Sequence, residues 1–213
     1  SGDQILNQLK KLGCSCDWSR NRFTMDKDLS AAVIKTFVQL YKKKIIYKDT
    51  KLVNWDTKLE TAISDLEVEQ KEVQSNLYYI KYKIESGDNF LTIATTRPET
   101  MLGDTAVAVN PNDERYKKFI GKEITIPIAN RTVKIIADNY VSLEQGSGAL
   151  KVTPAHDFND FEIGKRHKLK FINIFEKNGK LNNNVPKEFI GVDRFEARTK
   201  ITKILKEKNL LEK

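Results

Sequence analysis

Residues 78–95 read YYIKYKIESGDNFLTIAT, and this stretch decides the fold class of the chain. Its first half places bulky residues at every second position, namely Tyr78, Ile80, Tyr82 and Ile84. Alternate side chains of an extended chain point to the same face, so this period of two predicts a β-strand with one buried face. The turn formers Ser86-Gly87-Asp88-Asn89 and the apolar run at 90–95 complete a predicted β-hairpin.

Further β-like runs follow this hairpin, at residues 106–109, 124–128, 133–136, 149–153 and 171–175. Turn residues at Asn110-Pro111 and Gly146-Ser147-Gly148 separate some of these runs. Seven short strands in all predict a barrel-like, mainly antiparallel β-sheet.

Apolar residues at helical spacing lie on both sides of the predicted sheet. They recur between Leu29 and Tyr41, where the lysines at 42–44 follow, and again between Phe195 and Leu205. We therefore predict an α+β fold in which helices flank the sheet. The same pattern divides the chain into a helical N-terminal segment, 1–70, and a core domain, 71–213.

Composition narrows the function classes without choosing one. Lysine and arginine total 37 against 29 acidic residues, a formal charge of +8 that favours encounters with polyanions such as RNA, although many basic domains bind no nucleic acid. Cys14 and Cys16 alone support neither a disulfide framework nor a four-ligand zinc site. No apolar run approaches the about 20 residues that span a bilayer, and the polar start is unlike a signal peptide, so we expect a cytoplasmic location and no membrane contact.

The first polar cluster, Thr95-Thr96-Arg97-Pro98-Glu99-Thr100, follows the second strand of the hairpin. Strand ends often line pockets, and Pro98 restricts Arg97 to extended geometry, which would hold the guanidinium in one direction. A structural ion pair is the competing interpretation of Arg97.

The second polar cluster occupies residues 146–160 and has the order glycine turn, strand, proline break and helix start. Lys151 and Thr153 alternate with apolar residues, so their side chains leave the same face of the strand. Asp157 and Asp160 are spaced to share one face of the helix, although an acid at a helix start is often only a cap. The histidines at 156 and 167 do not complete a familiar ligand set, so we predict no metal site.

These two clusters resemble known editing motifs. Residues 95–107, TTRPETMLGDTAV, and 151–160, KVTPAHDFND, are similar to the editing-domain motifs of class I valyl-tRNA synthetases. The resemblance extends to residues 12–20, 52–55, 62–69 and 193–198, and so spans nearly the whole chain. Gln145 departs from it, because family members often place an aromatic residue before the glycine turn.

The resemblance implies the editing-domain fold that valyl-, isoleucyl- and leucyl-tRNA synthetases share. Glu99-Thr100 and the run at 155–160 look like the valyl branch, whose editing domain hydrolyses the ester of threonyl-tRNA(Val). The His-Ile-Gly-His and Lys-Met-Ser-Lys-Ser signatures of the synthetic core are absent from the sequence. This region is therefore not expected to activate valine with ATP or to charge tRNA, and residues 1–70 would connect it to that core.

The resemblance also implies roles for individual residues. Asp157 would hold the α-ammonium of the substrate, while Lys151 and Thr153 would position the ester, the terminal adenosine or the attacking water. Asp160 and Arg97 would recognise the side-chain hydroxyl of threonine. The remaining substrate-binding residues would be Thr95, Thr96 and Thr100.

Editing by this route needs no cofactor, since ATP and magnesium belong only to the synthetic core. The expected partners are the aminoacyl acceptor end of tRNA(Val) and its threonine moiety, bound by a monomer. Two alternatives stay open: an isoleucyl-type editing domain that removes valine, and a catalytically silent module that binds the tRNA acceptor end. The water-activating group is left unassigned.

Overall fold

The computed structural model describes residues 2–144 and 146–212, so the departure at Gln145 lies outside the described residues. The chain divides into two compact units, Ser1–Thr50 and Lys51–Lys213. This division falls before the sequence-based boundary at residue 70. The assignment of 1–70 and 71–213 to separate functional domains stays a prediction.

The first unit is helical. It contains helices α1, Gly2–Lys11, and α2, Lys27–Lys42, and neither helix has a buried residue. The apolar spacing between Leu29 and Tyr41 therefore predicted α2 correctly. The lysine run begins with the last residue of that helix, where cations interact favourably with the helix dipole.

The second unit begins with a short hairpin that the sequence analysis missed, formed by β1, Asn54–Asp56, and β2, Thr61–Ile63. A six-stranded sheet follows in the order β4-β3-β6-β7-β5-β8. Its strands are β3, Tyr78–Ile84; β4, Phe90–Thr95; β5, Ala106–Val109; β6, Glu123–Ile126; β7, Arg131–Ala137; and β8, Ala149–Val152. Among the strands of the described residues only β5 and β7 pair in parallel, which confirms the mainly antiparallel sheet.

The predicted hairpin forms with Ile80 opposite Ile93 and Tyr82 opposite Leu91. All four side chains are buried, as the period of two requires for a strand with one face in the core. Two helices complete the α+β fold: α3, Phe158–Arg166, and α4, Arg194–Glu207, which adds apolar side chains to the core.

The sheet curls into a nearly closed barrel, as predicted. Its two edge strands, β4 and β8, lie next to each other without forming a hydrogen-bonded ladder. The backbone groups along this seam are therefore not used by a neighbouring strand. Polar side chains from both edges meet there.

The strand predicted at 171–175 is wrong. The segment forms only an isolated bridge between Phe175 and Leu181. Side chains satisfy its backbone instead: the Asn173 carboxamide oxygen accepts from the Phe175 amide at 3.0 Å, and the His156 ring accepts from the Ile174 amide at 3.0 Å. Asparagine competes in this way with ladder hydrogen bonds, and the period-two pattern does not register that competition.

Candidate active site

The eight predicted site residues line one cavity of about 290 Å³ at the seam between β4 and β8. The turn after β4 contributes one group of residues, and β8 with the start of α3 contributes the other. The eight are Thr95, Thr96, Arg97, Thr100, Lys151, Thr153, Asp157 and Asp160. Two clusters separated by about fifty positions in sequence thus converge on one small polar space.

Two threonine hydroxyls form hydrogen bonds with the backbone of Arg97. The Thr95 hydroxyl accepts from the Arg97 amide at 3.1 Å, and the Thr100 hydroxyl donates to the Arg97 carbonyl at 2.9 Å. The guanidinium donates to the His156 carbonyl at 2.9 Å and lies 3.6 Å from Glu99. Because 45% of the Arg97 side chain is still exposed, this guanidinium is oriented but accessible.

Glu99 anchors this turn to α4. Its carboxylate is almost fully buried and accepts two parallel hydrogen bonds from the Arg198 guanidinium, each 2.8 Å long. A bidentate pair of this kind restricts both position and orientation. The ion pair considered for Arg97 is present, 3.6 Å from Glu99, but the shorter contacts of that carboxylate go to Arg198, and Arg97 lines the cavity.

Lys151 and Thr153 reach a common partner that the sequence analysis did not select. Asp104 is fully buried, and its Oδ1 lies 3.4 Å from the Lys151 ammonium and accepts from the Thr153 hydroxyl at 2.6 Å. The prediction that the side chains of Lys151 and Thr153 leave the same face of the chain is thus confirmed. Tyr82 donates to the other Asp104 oxygen at 2.8 Å, and Lys151 also hydrogen-bonds Thr153.

This buried network fixes Lys151 and Thr153, which line the cavity. Burial raises the pKa of the Asp104 carboxyl above its ordinary value, while Lys151, Thr153 and Tyr82 act in the opposite direction by favouring the carboxylate. Asp104 occurs within the motif at 95–107, yet linear spacing carries no sign that it lies under Lys151. Only the antiparallel pairing of β5 with β8 brings the two together.

Asp157 and Asp160 are placed differently, although they are three positions apart. Asp157 is exposed and caps α3, its Oδ1 accepting from the amides of Asn159 and Asp160 at 2.8 and 3.1 Å. Asp160 is buried, and its Oδ2 accepts from the Thr153 amide at 2.8 Å. The cap interpretation therefore holds for Asp157 and not for Asp160.

Burial sets the protonation of two groups at the site. It raises the pKa of Asp160 to about 6, with Lys151 opposing, so this carboxyl is largely ionised at pH 7 and neutral at pH 5. Burial, together with Arg97 and Lys151, lowers the pKa of His156 to about 3. His156 is therefore a neutral acceptor for the Ile174 amide. His167 follows the last residue of α3, and its ring lies 2.9 Å from Asp138.

Among residues 2–144 and 146–212, no three His, Cys, Asp or Glu side chains are grouped closely enough to hold a metal ion. Within the same ranges no helix combines the length and apolarity needed to cross a membrane.

Residues 1–208 match the sequence profile of a family described as "tRNA synthetases class I (I, L, M and V)". The chain belongs to the class I tRNA synthetases. The chain is 66% identical over 212 residues to the valine–tRNA ligase of Pelagibacter ubique and 57% identical over 212 residues to that of Syntrophotalea carbinolica. Each match covers 100% of the chain but only 24% of the ligase. The chain is thus similar to one region of those larger enzymes.

A solved synthetase structure supports the fold. The LeuRS of Agrobacterium radiobacter K84, in a ternary complex with tRNA and LeuAMS, superposes with a TM-score of 0.53 over 98% of the chain described here and 35% of the LeuRS chain. Sequence identity is 18%, so the likeness extends to the architecture and not to individual side chains. The predicted editing-domain fold agrees with it.

Proposed function

We propose that the chain hydrolyses the ester of threonyl-tRNA(Val), as the editing region of a valine–tRNA ligase. The observation that carries the proposal is the pairing of an accessible carboxylate, Asp157, with a buried one, Asp160, in a single small cavity. The first suits the charged end of an amino acid. The second suits a polar group that enters the cavity.

Asp157 is the proposed ligand of the substrate's α-ammonium. One of its oxygens caps α3, and the exposed carboxylate lines the cavity. A cap residue is held in one geometry by the helix it begins, so its charge is presented without a large loss of side-chain freedom.

Asp160 and Arg97 are the proposed readers of the threonine hydroxyl. Valine and threonine are nearly isosteric, so an apolar pocket separates them poorly and a second site must read the hydroxyl. An ionised Asp160 would accept a hydrogen bond from that hydroxyl, whereas valine would leave the buried carboxylate without it. An unsatisfied buried group costs roughly 1–3 kcal/mol, which favours threonine in this cavity.

The hydrolysis itself needs little beyond positioning, since an ester is already activated. The water oxygen would bond to the ester carbonyl carbon, the bond from that carbon to the ribose oxygen would break, and a proton from the water would pass to the ribose oxygen, which leaves as a hydroxyl. Lys151 lines the cavity, where its ammonium is suited to stabilise developing negative charge on the carbonyl oxygen, and Thr153, which accepts from that ammonium, would orient it. Asp104 would hold both groups in place.

The test compares deacylation of threonyl-tRNA(Val) and valyl-tRNA(Val) by the chain, with Asp157→Asn as the principal variant. Asparagine caps helices as well as aspartate does, so this change removes the charge and keeps the start of α3 intact. We expect the chain to hydrolyse the threonyl ester faster, and we expect Asp157→Asn to lose at least about tenfold in rate, equivalent to 1.4 kcal/mol of ammonium binding.

A comparison with Asp157→Ala separates charge from capping. Alanine should cost a further 0.5–2 kcal/mol, roughly, of stability that asparagine retains. Equal hydrolysis of both esters would contradict the proposed specificity, and faster hydrolysis of valyl-tRNA(Ile) would favour the isoleucyl alternative. Binding of a threonyl-adenosine analogue without any turnover would favour the silent RNA-binding alternative.

A further inference from the structure

The turn that follows Arg97 is attached to the rest of the fold through one carboxylate. Residues Pro98–Gly103 form a short 3-10 helix in which every residue is buried, and Glu99 is among them. Its side chain is only 1% exposed and meets α4, where Arg198 binds both of its oxygens. Arg198 lies outside the lining of the cavity, and the proposed hydrolysis assigns it no task.

Two guanidinium groups compete for this carboxylate. Oε1 of Glu99 lies 2.8 Å from Nη2 of Arg198 and 3.6 Å from Nε of Arg97, so both cations approach the same oxygen. Oε2 accepts a second hydrogen bond from Nε of Arg198 at 2.8 Å. A bidentate pair is stronger than a single contact, so Arg198 holds the carboxylate and Arg97 stays at the longer distance.

The guanidinium of Arg97 is shared between two acceptors. Its Nε lies near Glu99, and its Nη1 donates to the carbonyl of His156, a residue of the cavity lining, at 2.9 Å. A buried carboxylate that loses its partner is strongly unfavourable, and an arginine within reach relieves it. Loss of the Arg198 charge would therefore draw the guanidinium of Arg97 towards Glu99 and away from the cavity.

We propose that Arg198 is a specificity-determining positioning residue: by occupying the Glu99 carboxylate, it keeps the Arg97 guanidinium available to the substrate. Arg198 itself contacts no substrate and acts through Arg97. The inference rests on the proposed function, because Arg97 is one of the two proposed readers of the threonine hydroxyl. It assigns part of the discrimination to a residue of α4, 99 positions beyond Glu99 in the sequence.

The first test measures kcat/KM for threonyl-tRNA(Val) and for valyl-tRNA(Val) and takes their ratio, from which general effects on RNA affinity cancel. Arg198→Met removes the charge, and we expect it to lower this ratio by about tenfold, the lower end of the range for a hydrogen bond to a charged group. Arg198→Lys keeps the charge without the bidentate geometry and should lie between the wild type and Arg198→Met. Arg194→Met removes the same charge from the same helix, outside the cavity of the candidate site, and should leave the ratio unchanged.

A double variant, Glu99→Gln with Arg198→Met, distinguishes this role from simple anchoring of α4. Glutamine has nearly the same shape as glutamate and no charge, so no carboxylate remains to draw Arg97 out of the cavity. We expect the double variant to recover most of the discrimination that Arg198→Met loses. If Arg198 acted only by anchoring the helix, the double variant, which also lacks that anchor, would discriminate no better than the single one.

Chemical modification of Arg97 reports on the same competition without any hydrolysis. Phenylglyoxal reacts with accessible guanidine groups, and peptide mass spectrometry follows each arginine separately. Capture by Glu99 should slow the modification of Arg97 in Arg198→Met by roughly fivefold, the upper end for a partly exposed ion pair, and the double variant should restore the rate. A turn that merely loosens would instead make Arg97 react faster.

The two measurements separate this inference from the proposed function. Unchanged or faster modification of Arg97 in Arg198→Met overturns the inference even if threonyl-tRNA(Val) is hydrolysed, and so does an unchanged ratio in an active Arg198→Met chain. Slower modification that the double variant reverses supports the inference even if neither ester is hydrolysed, in which case the proposed function fails alone. Circular dichroism of each variant identifies a loss of fold, and Arg198→Lys, which retains a cation beside Glu99, serves for both measurements if Arg198→Met does not fold.

Discussion

At the scale of single residues, burial controls what the ionisable groups of the candidate site can do. Asp104 lies under the cavity and joins Lys151, Thr153 and Tyr82, so Lys151 is fixed by a partner that has no contact with solvent. The charge of Lys151 acts on both Asp160 and His156, and their pKa values move in opposite directions. In each case burial favours the neutral form.

His156 should make the stability of the chain depend on pH. Its pKa is about 3 in the folded protein and about 6.5 when unfolded, so the unfolded state binds the extra proton between these values and stability falls as the pH drops through 6.5. Between pH 7 and pH 5 this contribution should amount to roughly 2 kcal/mol. Urea unfolding of the wild type and of His156→Gln at both pH values measures it.

The glutamine variant is a suitable comparison because its side-chain oxygen can accept the Ile174 hydrogen bond while having no proton to gain. Other groups, including Asp160, titrate in both proteins, and the difference between the two removes most of their effect. If the wild type and the variant lose the same stability on acidification, His156 is not held neutral by the fold.

At the scale of elements, the position of α3 depends on one close approach. A Cβ added at Gly164 would lie 2.7 Å from Cβ of Pro154 and 2.8 Å from its Cγ. Both distances are shorter than any ordinary contact, so the helix can pack here only because this residue is glycine. The same helix carries Asp157 and Asp160 into the cavity.

Gly164→Ala should therefore destabilise the chain, although alanine has the higher intrinsic helix propensity. Alanine is favoured over glycine in a helix by about 1 kcal/mol, but overpacking of a close contact costs about 1–3 kcal/mol and should dominate. Thermal unfolding of Gly164→Ala measures the sign. Glu162→Ala, at an exposed position of the same helix, is the control and should change stability by less than about 0.5 kcal/mol. An increase in stability for Gly164→Ala would mean that α3 moves away from Pro154 without loss.

At the scale of the whole molecule, the apolar core and the candidate site belong to one of the two compact units. The buried apolar side chains of the described residues fall between Ile80 and Leu205, and all eight predicted site residues fall in the same unit. Helices α1 and α2 bury no residue. Stability against local opening follows buried apolar contact, so the two units should differ widely in that stability.

Limited trypsin digestion should reveal this difference. We expect the first cuts after the lysines at 42–51, because exposed backbone outside a core is cleaved first. The product on the C-terminal side of these lysines, which contains the core, should persist. Mass spectrometry of the digest locates the cuts, and a digest in urea shows which lysines are cleaved once the core has opened. First cuts within 78–205 would contradict the division of the chain into these units.

The predictions from sequence succeeded where the pattern is local. A period of two determined β3 and β4, a period near 3.6 determined α2 and α4, and the eight residues selected from the two polar motifs all lie in the lining of the cavity at the seam. The fold class follows from these elements. They can be read from the chain because alternation and helical spacing reflect which side chains face the core.

The tertiary structure alone decided how those residues are used. Three features depend on strands and helices that are far apart in sequence. Asp104 contacts Lys151, and Arg198 binds the carboxylate of Glu99. Asp157 is exposed, whereas Asp160 is buried. The failed strand at 171–175 has the same origin, since its amides are satisfied by side chains of Asn173 and His156. The sequence by itself determined which side chains gather at the seam of the barrel. Burial and hydrogen bonding, which depend on neighbours that only folding supplies, decided their charge, their exposure and their partners.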